Sequence, residues 1–146
     1  MKKVLIAYVS RTGMTAKMAD YIAEGVRFSG NEAETKKISE LKSDKELEGY
    51  DAYIFGSPTY HKDTTEGMKT FLFLCQKVKL GGKPGGAFGS HTHSGEAPGI
   101  IFDTMEHVFK MDMVNLGGFA LKESLVNESE GMRACQDYGK EVAKKF

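Results

Sequence analysis

Val4-Leu5-Ile6-Ala7-Tyr8-Val9-Ser10-Arg11-Thr12-Gly13-Met14-Thr15 passes from an unbroken apolar run into a hydroxyl-rich turn. An apolar run without alternation, closed by turn residues, reads as a strand buried on both faces, as in a parallel sheet. Beyond the turn, Ala16, Met18, Ala19, Ile22, Ala23 and Val26 recur at helical spacing. The turn therefore joins the end of a central strand to the start of a helix. Backbone N–H groups are free at a helix N-terminus, and the helix dipole favours negative charge there. Ser10, Thr12 and Thr15 add donors without bulk, and Gly13 lets the backbone close around a ligand. The combination reads as a phosphate cradle. The plainer alternative is a strand-turn-helix whose Thr15 merely caps the helix; the strand–helix context that a phosphate loop requires weighs against it.

Outward from this unit, strands and helices alternate to the end of the chain. Strands are expected over residues 3–9, 32–38, 51–56, 83–89 and 111–121, the last interrupted by Gly117-Gly118. Helices are expected over 15–28, from a Ser43 cap to Gly49, and over 66–79, 97–110 and 128–146. Along the fourth helix, Ile100, Ile101, Met105, Val108 and Phe109 are expected inside. This alternation predicts an α/β three-layer sandwich, a five-stranded parallel sheet with helices on both faces. Right-handed connections and a central first strand give the order 2-1-3-4-5. Ligands bind such sheets beyond the strand C-termini, at the switch between strands one and three.

The remaining composition narrows the function. The chain has 146 residues, the size of one domain, so residues 1–146 are expected to form a single unit. It lacks both Gly-x-x-x-x-Gly-Lys-Ser/Thr and a Gly-x-Gly-x-x-Gly after the first strand, which argues against a P-loop triphosphatase and a Rossmann pyrophosphate site. No apolar run reaches the roughly 20 residues of a membrane span, and Met1-Lys2-Lys3 leads straight into strand one, so neither anchor nor signal peptide is read. Cys75 and Cys135 sit in apolar helical contexts and are expected to be buried, reduced thiols. A cytoplasmic location follows as the expectation. The terminal lysines 140, 144 and 145 suit a helix C-terminus rather than a nucleic-acid patch.

The loops at the switch point are the chemically rich ones. Ser57-Pro58-Thr59-Tyr60-His61-Lys62-Asp63-Thr64 follows strand three, and Ser90-His91-Thr92-His93-Ser94-Gly95-Glu96 follows strand four. Three of the four histidines fall in them. Pro58 stiffens its loop and Tyr60 offers a flat face with a polar tip. His61, His91 and His93, with Asp63 or Glu96, also have metal-ligand character, but ligand type without geometry is weak support and no metal site is assigned.

The pattern Ser/Thr-x-Thr-Gly-x-Thr at residues 10–15 resembles the FMN-phosphate loop of flavodoxins, and every defined position is matched. The whole chain resembles a short-chain flavodoxin. Gly56-Ser57-Pro58-Thr59 and Gly89-Ser90-x-x-x-Ser94-Gly95-Glu96-Ala97 are most similar to the flavodoxin-like module of flavo-diiron proteins, here as a stand-alone domain. The resemblance implies phosphate contacts from Ser10, Arg11, Thr12, Gly13, Met14 and Thr15. It implies flavin contacts from Ser57, Pro58, Thr59, Tyr60 and His61, and from Ser90, His91, Thr92, His93, Ser94 and Gly95. No side chain is expected to act as acid or base. A carbonyl of the 57–63 loop is expected to flip and accept a hydrogen bond from the reduced ring.

Departures from the family pattern bear on function. The third loop carries histidines where relatives place Trp or Tyr, and the chain has no tryptophan. One ring face is either covered by His93 or open to a partner, and either Tyr60 or His61 is the stacking group. The diiron module is missing, which implies work alone or in trans, and the insertion of long-chain flavodoxins is absent. The 20 basic and 20 acidic residues balance, whereas flavodoxins are typically strongly acidic. The resemblance implies an FMN-binding electron carrier that cycles flavin redox states between protein redox partners, as a monomer or weak homodimer. The alternative is an FMN-dependent NAD(P)H or quinone reductase. A phosphoacceptor receiver domain of the same topology would need acidic residues where Ser10 and Ser57 stand.

Overall fold

The computed structural model describes residues 1–146. Its elements in chain order are β1 (Lys3–Tyr8), α1 (Met14–Phe28), β2 (Glu32–Lys37), α2 (Asp44–Leu47), β3 (Ala52–Gly56), α3 (Glu66–Cys75), β4 (Pro84–His91), α4 (Ala97–His107), β5 (Asp112–Met113), β6 (Phe119–Lys122) and α5 (Ser129–Ala143). The sheet runs β2-β1-β3-β4-β5, every pair parallel, and β6 also pairs with β4. This is the expected 2-1-3-4-5 order, with the last strand split in two.

Alternation along the buried strands sorts the core into two layers. Val4 and Ile6 of β1 join Ile54 and Phe88 against Met18, Ile22 and Val26 of α1 and Cys135 and Val142 of α5. Leu5 and Ala7 join Tyr53 and Phe55 against Met68, Phe71 and Cys75 of α3 and Ile101 and Met105 of α4. Both thiols are buried and unpaired, and burial pushes each pKa up to about 12. No helix is long and apolar enough to cross a membrane.

Element ends depart from expectation chiefly in five places; α5 stops at Ala143 rather than 146, where the Lys145 and Phe146 N–H groups bond carbonyls three residues earlier. α3 stops at Cys75, because Gln76, Lys77 and Val78 turn back on carbonyls three residues earlier, toward Gly82 at φ +79°. α4 stops at His107, ahead of Lys110 in left-handed backbone at φ +58°, and Ile100 and Val108 are exposed rather than inside. The Ser43–Gly49 segment forms only the single turn of α2. β4 continues through His91, where its pairing with β6 holds Ser90 and His91 in the sheet rather than in a loop.

The break in the last strand has its own repair. β5 pairs with Pro84 and Gly85, β6 with Phe88 to His91, and Ala87 falls between them. The Ala87 N–H donates to the Tyr138 hydroxyl of α5 at 3.0 Å, and that hydroxyl donates to the Gly117 carbonyl at 2.8 Å. A Cβ at Gly86 would lie 2.9 Å from the Tyr138 ring, so glycine makes room for the phenol.

Candidate functional site

The carboxyl ends of β1, β3 and β4 lie side by side, so the loops that leave them converge. At β1, Gly13 caps α1 at φ +91°, a backbone region where glycine is unstrained. The Ser10 hydroxyl accepts from Gly13 N (3.1 Å) and Ala16 N (3.3 Å), tying the loop to the first helical turn. The N–H groups of Arg11, Thr12 and Thr15 find no acceptor within the chain, and Met14 N reaches only the Thr12 hydroxyl at 3.5 Å. These are the donors an anion would meet. Thr15 is placed differently from the expectation of a ligand-facing hydroxyl. Its side chain is buried, 2.7 Å from the buried Ser90 hydroxyl, and so links the cradle to β4.

The loop after β3 is held from within. Ser57 is buried; its hydroxyl donates to Pro58 O and accepts from Thr65 N. Thr59 N donates to Ser90 O, and the Thr59 hydroxyl accepts from Ala97 N at 2.9 Å, pinning the loop to β4 and α4. Tyr60 and Asp63 exchange two backbone hydrogen bonds, of 2.9 and 3.0 Å, around a two-residue turn. Its central residues, His61 (φ +52°) and Lys62 (φ +61°), are left-handed without being glycine. The Lys69 ammonium donates to Asp63 at 2.5 Å and, with Thr64 N–H, holds the Asp63 carboxyl below its ordinary pKa.

The third loop comes close to the second. A Cβ on Gly89 would lie 1.9 Å from Ser57 O, and one on Gly95 2.7 Å from Ala120 Cβ. Thr59, Tyr60, His61 and Lys62 face Thr92, His93 and Ser94 across a hollow of about 350 Å³. The Arg11 guanidinium stacks 4.7 Å from the Tyr60 ring centroid, joining the cradle to the ring pocket. His91 Nδ1, Glu96 Oε1 and Thr64 Oγ1 are buried without hydrogen-bond partners. A second hollow, of about 320 Å³, flanks the cradle between Ser10, Arg11, Gly13 and the end of β2 at Lys37, Ile38 and Ser39. Nothing in the local sequence pattern marks Lys37 to Ser39 as belonging to it. The loop histidines do not assemble as metal ligands; Asp103, Glu106 and His107 on the exposed face of α4 are the one group of such side chains within mutual reach.

These features fit the FMN that the resemblance implies. A cluster of unpaired N–H groups suits a phosphate, and the ring hollow falls within the usual ~300–1,000 Å³ of ligand sites. Orphaned buried polar atoms lie in the same loops that line it. Tyr60 is the one Tyr, Trp or Phe lining the hollow, beside the imidazoles of His61 and His93.

Comparisons with known proteins agree. The family model described as a flavodoxin domain matches residues 5–99. A flavodoxin of Clostridium saccharobutylicum is 29% identical, with 98% of this chain and 96% of that one aligned. An NAD(P)H dehydrogenase (quinone) of Sinorhizobium fredii is 34% identical over 73% of this chain and 67% of its own. Among solved structures, a flavodoxin from the domain Archaea superposes with TM-score 0.90 at 26% identity, covering 98% and 97% of the two chains. The flavodiiron protein of Giardia intestinalis shares the fold, with TM-score 0.88 at 23% identity; 99% of this chain matches 36% of that one.

Proposed function

Because this chain belongs to the flavodoxin family, we propose that it binds FMN and passes electrons between protein redox partners. The bound flavin supplies one- and two-electron redox chemistry, and the protein supplies position and electrostatics. In this reading the N–H groups of Arg11, Thr12 and Thr15, with the Thr12 hydroxyl, hold the phosphate. Ser10 and Thr15 act mainly from inside the loop, the first by tying it to α1 and the second by tying it to Ser90. Tyr60 and His61 line one side of the ring hollow, and His93 lines the other with Thr92 and Ser94. Ser57, Pro58 and Thr59 set the position of the Tyr60–Asp63 turn. His91 and Gly95 shape the far wall. In this reading no proton-transfer role is asked of any side chain; Asp63, the carboxylate of that turn, is paired with Lys69.

The observation that carries the reading is the convergence of an N–H cradle and a ring-sized hollow, bridged by Arg11 on Tyr60. A reductase is the second reading. It is favoured by the likeness to NAD(P)H dehydrogenases (quinone) and by the lack of a Tyr or Trp on the His93 side of the hollow. The test is FMN titration of the purified protein, followed by stepwise dithionite reduction and an NAD(P)H oxidation assay. Tight FMN binding with two resolved one-electron stages and no NAD(P)H turnover supports the carrier. Sustained NAD(P)H oxidation by the loaded protein alone supports the reductase, and absence of FMN binding overturns both.

A further inference from the structure

Glu123 lies outside every motif in the sequence, yet its carboxylate accepts the hydrogen bond of the Thr12 hydroxyl. It stands in the short 3-10 turn that links β6 to α5. Two further contacts hold the same segment against α1. Asn127 Nδ2 lies 3.9 Å from Met14 Sδ, and Asn127 Oδ1 accepts from the Tyr21 hydroxyl at 2.9 Å. Val126, between them, is fully buried. The segment is thus anchored on α1. Glu123 makes no ion pair within the chain; Thr12 is its hydrogen-bond partner.

We propose that Glu123 is a specificity-setting residue, an internal anion that competes with the ligand's phosphate for Thr12. The inference rests on the reading that the cradle takes the FMN phosphate. A hydroxyl has a single proton to donate, so Thr12 serves either the carboxylate or a phosphate oxygen. Phosphate gains that donor only when Glu123 withdraws, and the two anions repel at contact distance. Riboflavin presents the same ring without the phosphate and escapes this competition. Glu123 therefore narrows the preference for FMN over riboflavin and keeps the Thr12 hydroxyl paired when no phosphate is there.

The test is a titration of the flavin-free chain with FMN and with riboflavin, followed by flavin fluorescence, in wild type, Glu123→Gln and Glu123→Ala. Glutamine keeps an acceptor oxygen for Thr12 and removes the charge; alanine provides a second variant without either. Both are expected to bind FMN about tenfold more tightly, with riboflavin affinity unchanged. The wild-type deficit is expected to shrink as added salt screens the repulsion. Unchanged or weaker FMN binding in both variants, or equal tightening toward both flavins, overturns the role of Glu123. A wild-type chain that binds FMN no better than riboflavin even at high salt overturns the cradle assignment instead.

Discussion

His61 and Lys62 hold a backbone that L residues adopt at a cost of about 1–2 kcal/mol each. The turn survives because Tyr60 and Asp63 are bonded in both directions and Asp63 is tied to Lys69. Lys62→Gly relieves that strain and loses about 0.4–1 kcal/mol through greater unfolded-chain freedom. Relief wins, so urea denaturation is expected to show a gain of about 0.5–1 kcal/mol. The Asp63–Lys69 contact also fixes a pH dependence. Asp63, depressed in the folded chain chiefly by the Lys69 hydrogen bond, adds stability above its unfolded pKa and loses it as pH falls through the folded value. Lys69, raised chiefly by the hydrogen bond to Asp63, adds stability below its unfolded pKa and loses it as pH rises through the folded value. The pair holds across the neutral range. Lys69→Gln is expected to lower the urea midpoint at pH 7, with the difference vanishing at acid pH; a constant difference would refute the linkage. At this scale the sequence placed Thr15 beside Gly13 but said nothing of which way its side chain points. Spacing placed Thr15 in the cradle, while the pull of the Ser90 hydroxyl turned its side chain inward. Glu123 is separated from Thr12 by 111 positions, beyond the reach of any local pattern.

Helices α1 and α5 cross where each carries a glycine. A Cβ on Gly25 would sit 1.9 Å from Gln136 O, and one on Gly139 2.2 Å from Ile22 O. Alanine is the better helix former by about 1 kcal/mol, but the obstacle here is rigid backbone, and overpacking costs about 1–3 kcal/mol or more. Gly25→Ala and Gly139→Ala are expected to destabilise despite their propensity. Gly99, in α4 with open space around it, gives the opposite sign, a gain of about 0.5–1 kcal/mol for Gly99→Ala. Thermal unfolding of the three variants checks both signs. Tyr138→Phe removes the partner of the buried Ala87 N–H and is expected to cost about 1–3 kcal/mol. Periodicity identified each long helix and the burial of Ile101 and Met105. It overran the ends of α3, α4 and α5, because tightening last turns and a left-handed Lys110 leave no mark on apolar spacing.

Across the whole molecule, the alternation of strands and helices sufficed for the sheet order, since a buried first strand and right-handed crossovers leave few arrangements. Net charge was equally plain: 20 basic residues balance 20 acidic ones. Negative surroundings disfavour the fully reduced, anionic flavin, and a balanced protein lacks part of that field. For one electron, ~1.4 kcal/mol corresponds to roughly 59 mV. The second one-electron potential is expected to be less negative than in acidic flavodoxins, and a potentiometric titration giving an equally low value would refute this. The split final strand bears on how such a molecule can grow. Its seam is closed by a phenol from α5, so Asn115 and Leu116, between the Val114 and Gly117 that hold the seam, pair with no strand. A lineage or an engineer can splice new sequence beside the exposed Leu116 and leave every existing strand pairing where it stands.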